Sequence, residues 1–267
     1  MSAAAAPETA SLAEAGADRV GADGLRPADP VAGGAGPSEG PAIDVRGMFN
    51  RIAKRYDATN RAMSVGVDVV WRRKAIARLV DEMGETPVFL DLGAGTLDGA
   101  IEIARRVPGA RVAAADFARE MLVAGKPKVR AEAYIDAHAA DGHHLPYRAA
   151  AFDGAFSAFC IRNLADLPQG MRELRRVVRP GGRIVLLEFL RPERPRLFID
   201  RIWNAHVLPF IGRKVSGDRE AYRYLPDSIG RLRSPRELAA LLNEVGFAQV
   251  ETAALFPSGV ATMVVAS

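Results

Sequence analysis

The 267-residue sequence contains one cysteine, four histidines and no long hydrophobic run. Cys160 alone cannot form an intramolecular disulfide or a paired-cysteine metal site. No apolar stretch approaches the roughly 18 residues that a bilayer span requires, and the N-terminus lacks the basic and apolar regions of a signal peptide. These absences predict a soluble, cytoplasmic protein without a metal.

The first 44 residues differ in composition from the rest of the chain. Ala, Gly and Pro dominate them, no helical or strand period is present, and seven acidic residues outnumber two arginines. This composition predicts a disordered leader over 1–44, and its acids argue against a mitochondrial transit peptide. One domain over 45–267 can hold the core, because 49% of the chain is hydrophobic.

The charge of the remaining residues is positive. Two of the 36 Lys and Arg and seven of the 32 Asp and Glu lie in the leader, so residues 45–267 carry a net charge of +9. Such an excess could favour an anionic membrane surface or a nucleic acid. The arginines are scattered among predicted helices, which favours an ordinary solvated surface. We therefore expect no nucleic-acid partner.

From Val88 onward, short apolar runs alternate with segments of helical spacing. Five runs predict strands: 88–92, 111–116, 133–139, 152–159 and 182–189. Three segments between them predict helices: 98–107, 118–125 and 167–178. This order predicts an α/β fold with a mainly parallel sheet and helices on both faces. A capped helix at 234–247 and two closing strands follow.

The stretch DLGAGTLDGA (91–100) lies between the first predicted strand and the next helix, where open α/β sheets bind ligands. Gly93 and Gly95 permit a tight turn and close approach of a ligand, and Thr96 adds a hydroxyl group. Asp116 ends the second predicted strand, where a carboxylate can accept both ribose hydroxyls of an adenosine. Loop and acid together predict a nucleoside cofactor, although a structural turn is the alternative for the glycines.

The chemistry of the loop favours one adenosine cofactor. The third glycine of a dinucleotide loop is displaced, and Asp91 would repel pyrophosphate but could hold an amino group. These demands fit S-adenosylmethionine, which has an ammonium, a sulfonium and a ribose but no phosphate. Asp141 could accept from the adenine amino group, with the Gly142 backbone beside it. An ordinary loop acid is the alternative for Asp141.

Five stretches of the sequence carry a resemblance to one family. They are FNRIAKRYDATNRAMSVGVDVVWRR (49–73), DLGAGTLD (91–98), FCIRNLADLPQGMRELRRVVRPGGRIVLLEF (159–189), HVLPFIG (206–212) and GDREAYRYLPDSIGRL (217–232). Together they resemble the quinone-biosynthesis C-methyltransferases, which methylate demethylmenaquinol or the polyprenyl-methoxy-benzoquinol precursor of ubiquinone. The resemblance implies the class I methyltransferase fold, S-adenosylmethionine as cofactor and a polyprenyl quinol as substrate.

The resemblance also implies which residues serve the cofactor. Contacts are expected at Thr96, Asp116, Asp141 and Gly142, with the loop shaped by Asp91, Gly93 and Gly95. Two positions depart from the family pattern, since Leu97 stands where glycine or alanine is common and Ala158 where some relatives carry serine. Because the family accepts alanine at 97, we expect a negative φ there, a packed Leu97 side chain, and cofactor binding that is retained but weakened.

The implied reaction attaches a methyl group to a ring carbon, which becomes nucleophilic when a phenolic proton leaves. Arg162 and Asn163, just past the fourth predicted strand, could stabilise the phenolate and position a quinol oxygen. Alternatively, Arg162 forms a surface ion pair and Asn163 caps a helix. His206 is the candidate base because histidine titrates near neutrality, although a packed histidine is more common. His143 and His144 receive no role.

Two flanking segments, 46–75 and 190–233, are expected to form a helical lid over the substrate. Four of its polar side chains are candidates for facing the substrate: Tyr56, Asp57, Tyr222 and Tyr224. Alternatively, Asp57 caps a helix and the three tyrosines pack in the hydrophobic core. The apolar, aromatic and arginine residues of 190–230 could dock peripherally at the inner face of a membrane, or form the core of the lid.

Two alternatives to a quinol methyltransferase stay open. A changed lid could select another small molecule, in which case the chain methylates a different acceptor. Leu97 and Ala158 could instead mark a non-catalytic binding subunit of a quinone-biosynthesis assembly. Among the quinol acceptors, demethylmenaquinol is slightly favoured.

Overall fold

A computed structural model describes residues 44–131, 133–191, 193, 228, 232–255 and 261–267. The leader up to residue 43 and most of the second lid segment, 190–233, lie outside these residues. So do three of the candidate side chains, His206, Tyr222 and Tyr224. None of the described helices combines the length and hydrophobicity that a membrane span requires.

In the described part of the chain, seven strands form one sheet in the order β3-β2-β1-β4-β5-β7-β6. Their bounds are β1 Val88–Leu92, β2 Arg111–Asp116, β3 Tyr134–Ala139, β4 Phe152–Ala158, β5 Val178–Glu188, β6 Val250–Ala254 and β7 Thr262–Ala266. β1 to β5 pair in parallel, and β7 is antiparallel to both β5 and β6. The predicted mainly parallel sheet and its two closing strands are therefore confirmed.

Strand β5 begins four residues before its predicted start. Val178 pairs with Phe152, and the register then shifts between Phe152 and Gly154. The shift absorbs the Pro-Gly-Gly stretch, in which Gly181 has a φ of 72°. The apolar run that the sequence pattern detects is only the regular part of this strand, because a bulged segment carries no strict alternation.

Helices cover both faces of the sheet. Their bounds are α1 Val45–Ile52, α2 Tyr56–Ser64, α3 Val67–Val80, α4 Asp98–Arg106, α5 Arg119–Gly125, α6 Leu167–Val177 and α7 Pro235–Glu244. The three helices predicted between strands end within one residue of their predicted bounds. α7 begins with a capping box between Ser234 and Glu237, and Gly246 follows its end with a φ of 102°.

The first lid segment, 46–75, divides into two parts. α1 and α2 lie at the carboxyl edge of the sheet, where α1 packs against α5. In contrast, α3 packs on the sheet and buries Trp71, Ile76 and Leu79 in a hydrophobic core that it shares with β1 and β4. The strand order reverses between β1 and β4, so the loops that leave these two strands diverge and open a crevice. α2 and the start of α3 lie over this crevice.

The turn from β1 to α4 is held by three left-handed residues. Gly93, Gly95 and Leu97 have φ values of 71°, 51° and 69°. The expectation of a negative φ at Leu97 is therefore wrong, and a residue with a β-carbon is strained there by about 1–2 kcal/mol. The expected packing is confirmed, since Leu97 is fully buried and lies against α5, where a Cβ on Gly125 would meet Leu97 Cγ at 2.8 Å.

Two substitutions at Leu97 should separate packing from backbone strain. Leu97→Ala removes the packing and retains the strain, so we expect it to lower the free energy of unfolding by about 2–5 kcal/mol. Leu97→Gly also relieves the strain, so it should be about 1 kcal/mol more stable than the alanine variant. Urea denaturation of the ligand-free protein measures both differences.

Leu122, in the interior of α5, is the matched control. It is also buried, but it lies in a helix, where glycine is less stable than alanine. At position 122 the glycine variant should therefore be less stable than the alanine variant, the reverse of the order expected at 97. A glycine variant at 97 that is less stable than the alanine variant would contradict a left-handed residue at this position.

Candidate functional site

A cavity that opens to solvent lies at the carboxyl edge of the sheet. Its walls come from the 93–97 turn, from α2 and from the end of β4 at Ala158 and Phe159. Four of the predicted cofactor residues line it: Asp91, Gly93, Gly95 and Thr96. The remaining three, Asp116, Asp141 and Gly142, follow or end the neighbouring strands β2 and β3.

Asp91 is a buried carboxylate next to the cavity. It is 2% exposed, and its Oδ2 has no hydrogen-bond partner among the described residues. Burial raises the pKa of Asp91 to about 7, against the opposing effect of the Ala100 backbone N–H. A Cβ on Gly99 would lie 2.6 Å from Oδ2, so the displaced third glycine allows α4 to approach this carboxylate.

Asp116 joins the end of β2 to the glycine turn. Its Oδ2 accepts the Gly95 backbone N–H and its Oδ1 accepts that of Ala118, both at 2.8 Å. Burial raises the pKa of Asp116 to about 6, although these two donors favour the ionised form. The acid predicted from its distance along the chain thus fixes the turn that carries Gly95.

An ion-pair cluster fastens the N-terminal helices to the turn. Thr96 Oγ1 donates to Asp57 Oδ1 at 2.5 Å, and Lys128 Nζ bridges Asp57 and Asp98 with two contacts of 2.7 Å. Arg61 of α2 also donates to Asp98, at 3.0 Å. Burial opposes ionisation of Asp98, but the Lys128 hydrogen bond and nearby arginines hold its pKa below the ordinary value. Asp57 therefore faces the loop, and the Thr96 oxygen keeps its capacity to accept.

A buried ion pair lies beyond β4. Arg162 donates to Glu188 Oε1 at 2.6 Å, and the two side chains are 6% and 1% exposed. Glu188 Oε2 has no partner among the described residues. Burial raises the pKa of the Tyr56 phenol, and the positive charge of Arg162 opposes that rise. Asn163 is beside it, in the 3-10 turn Ile161–Asn163.

Sequence reasoning missed Glu188, and the ion pair differs from the surface pair considered for Arg162. The available signal was an acidic residue at the end of a continuous apolar strand, RIVLLEF. Such a residue lies at the carboxyl edge of the sheet when the strand is parallel to its neighbours. The identity of its partner required the register between β4 and β5.

Aromatic rings form the wall beside this ion pair. Phe159 has a φ of 55°, which is uncommon for a bulky residue, and it lines the cavity. Its ring lies 4.6 Å from that of Phe189, which packs edge-on against Trp71 at 6.2 Å. The neighbouring Ala158 also lines the cavity and leaves space there. The wall of the cavity at the end of β4 is therefore apolar.

The raised pKa of Asp91 predicts a pH-dependent stability. The folded state retains a proton on Asp91 that the unfolded state loses near the ordinary aspartate pKa of 3.8, so its contribution to stability decreases as pH rises to about 7. Asp91→Asn removes this dependence. The unfolding free energy of the variant minus that of wild type should therefore be about 2–3 kcal/mol larger at pH 8 than at pH 5. Denaturation of the ligand-free protein at both pH values measures this change.

Asp98→Asn is the control, because the fold lowers the pKa of Asp98 and raises that of Asp91. The pKa of Asp98 is lowered, so the group is ionised in both folded and unfolded protein from pH 5 to pH 8. The stability difference between Asp98→Asn and wild type should be constant over this interval. A constant difference for Asp91→Asn as well would contradict a neutral Asp91 at pH 5.

Comparisons with known proteins identify the family. Residues 39–266 match the ubiE/COQ5 methyltransferase family. The Demethylmenaquinone methyltransferase of Thermus thermophilus is 41% identical over 202 residues, which are 75% of this chain and 91% of that protein. The Ubiquinone/menaquinone biosynthesis C-methyltransferase UbiE of Syntrophotalea carbinolica is 40% identical over 212 residues, 79% of this chain and 88% of that protein.

A solved structure supports the fold independently. An S-adenosylmethionine-dependent methyltransferase of Thermotoga maritima superposes with a TM-score of 0.56 at 15% identity, covering 82% of this chain and 98% of that one. At such low identity the likeness concerns the fold alone. The sheet order and the superposition show that the chain has the class I methyltransferase fold. The family match and the similarity to these relatives show that it belongs to the ubiE/COQ5 methyltransferase family.

Proposed function

We propose that the chain catalyses S-adenosylmethionine-dependent C-methylation of a polyprenyl quinol, with demethylmenaquinol as the favoured acceptor. The observation that carries the proposal is the buried, unpartnered Oδ2 of Asp91 beside a cavity. A buried acceptor without a donor is costly, and a cationic ligand would remove that cost. The names of the relatives from Thermus thermophilus and Syntrophotalea carbinolica support the acceptor.

The residues around the cavity fit the polar groups of this cofactor. An ammonium donates only, and Asp91 Oδ2 and the Thr96 oxygen can both accept, since the Thr96 hydrogen is directed to Asp57. The remaining lone pairs of Asp116 can accept from ribose hydroxyls. Asp141 and the Gly142 backbone N–H would meet the adenine. When bound, the cofactor supplies a methyl group on a positively charged sulfur.

The chain's own residues would activate and hold the acceptor. Arg162 can stabilise the phenolate that forms on loss of a phenolic proton, and Asn163 can position a quinol oxygen. Glu188 holds the guanidinium in place before the substrate arrives, so little reorganisation is needed. Phe159 and its neighbouring rings provide an apolar wall that excludes water. His206, or a water oriented by Arg162, would accept the proton.

An assay with methyl-labelled cofactor and short-chain demethylmenaquinol tests this function. We expect label on a ring carbon of the product. Cofactor binding without this product would favour a methyltransferase for another small molecule, and absence of binding would favour a non-catalytic subunit. For long-chain acceptors, anionic liposomes should increase the rate if residues 190–230 dock at the membrane surface.

Neutralising the buried ion pair should impair the reaction more than cofactor binding. Arg162→Met combined with Glu188→Gln removes the positive charge without leaving a buried carboxylate unpaired. We expect kcat to decrease about 100-fold to 1000-fold, because stabilisation of the phenolate is lost. The dissociation constant of the cofactor should stay within about threefold, since its predicted contacts are elsewhere.

The matched control is the ion pair of Arg179 and Asp153, at the opposite end of β4 and β5. Arg179→Met with Asp153→Asn also removes one charge of each sign, and it should leave kcat unchanged. Equal rates for wild type and the Arg162 and Glu188 double variant would contradict the role assigned to this pair.

A further inference from the structure

His143 lies beside the Asp141 carboxylate in the turn that follows β3. Its ring Nδ1 is 2.6 Å from Asp141 Oδ1, and the same oxygen accepts the His143 backbone N–H at 2.9 Å. On the other side of the ring, Nε2 accepts the Asp166 backbone N–H at 3.1 Å. The ring therefore lies between the turn and the N-cap residue of α6.

These hydrogen-bond partners show which imidazole nitrogen of His143 carries the hydrogen. A backbone N–H can only donate, so Nε2 must be the nitrogen without a proton, and the neutral ring carries its hydrogen on Nδ1. Nδ1–H then donates to Asp141 Oδ1. One residue thus supplies two hydrogen bonds to a single carboxylate oxygen.

The surroundings of His143 hold it in this position. The residue is 9% exposed, and its carbonyl oxygen accepts from Gln169 Nε2 at 3.1 Å. Gly142 allows the turn to lie against Leu164, since a Cβ at 142 would be 2.9 Å from Leu164 Cδ2. The turn, the imidazole and the start of α6 therefore form one packed unit.

We propose that His143 is a positioning residue that fixes the Asp141 carboxylate for recognition of an adenine amino group, an inference that rests on the proposed function. Asp141 Oδ1 is directed to His143, whereas Oδ2 receives no hydrogen bond from any described residue and the side chain is 25% exposed. A carboxylate held through one oxygen presents the other in a fixed direction. Oδ2 can accept from adenine and repels the carbonyl oxygen of hypoxanthine.

Two polar substitutions separate this hydrogen bond from packing. His143→Asn retains an amide N–H near the position of Nδ1, whereas His143→Gln carries its amide farther out, near Nε2. Calorimetric titration with S-adenosylhomocysteine and S-inosylhomocysteine measures the preference for adenine over hypoxanthine. We expect His143→Gln to lower this preference about tenfold and His143→Asn to keep it within about twofold of wild type.

Two further variants complete the test. His144→Gln changes the exposed neighbouring histidine and should leave the preference unchanged. In an Asp141→Asn background, His143→Gln should have no additional effect on the preference, because the carboxylate that it positions is gone. If His143→Gln instead weakens both ligands equally, the proposal is overturned while the proposed methyl transfer stands. If the wild-type protein binds neither ligand, the proposed function fails as well.

Discussion

Two carboxylates buried on adjacent strands are the constraint on which the rest of this site depends. Burial raises the pKa of both Asp91 and Asp116, which means that the fold disfavours their charge. The chain compensates with backbone donors from the glycine turn and the following helices, including the N–H groups of Gly95 and Ala118. The described backbone leaves Oδ2 of Asp91 without a donor. The ammonium group of the proposed cofactor would supply that donor.

The N-terminal helices complete the same site from the other side. Asp98 begins α4 and Lys128 follows α5, whereas Asp57 belongs to α2. The contacts of Lys128 with both carboxylates fasten α2 over the turn. α2 also carries Tyr56, which lies near the buried Arg162. One short helix thus links the polar wall of the cofactor turn to the end of β4, where an acceptor would lie.

Much of the fold follows from local patterns. A parallel strand buried on both faces produces a continuous apolar run, and an amphipathic helix produces a period of 3.6, so the order of elements and most bounds were predictable. The bulged start of β5 has neither pattern and was missed. The negative φ expected at Leu97 was wrong because tolerance of alanine in relatives does not report the backbone conformation. Here burial of the leucine side chain compensates for a left-handed backbone.

The sequence by itself determined the sheet, the glycine turn and the presence of acids near the ends of β1 and β2, because these depend on residue type and on spacing along one segment. Only the tertiary structure decided which distant groups meet. Glu188 is paired with Arg162, and His143 lies between Asp141 and the start of α6. Those contacts depend on strand register and on loop packing, to which residues far apart in the chain contribute together. The unpartnered oxygen of Asp91 is likewise a property of the packed site, since no pattern in the sequence records which of the described donors reach a buried atom.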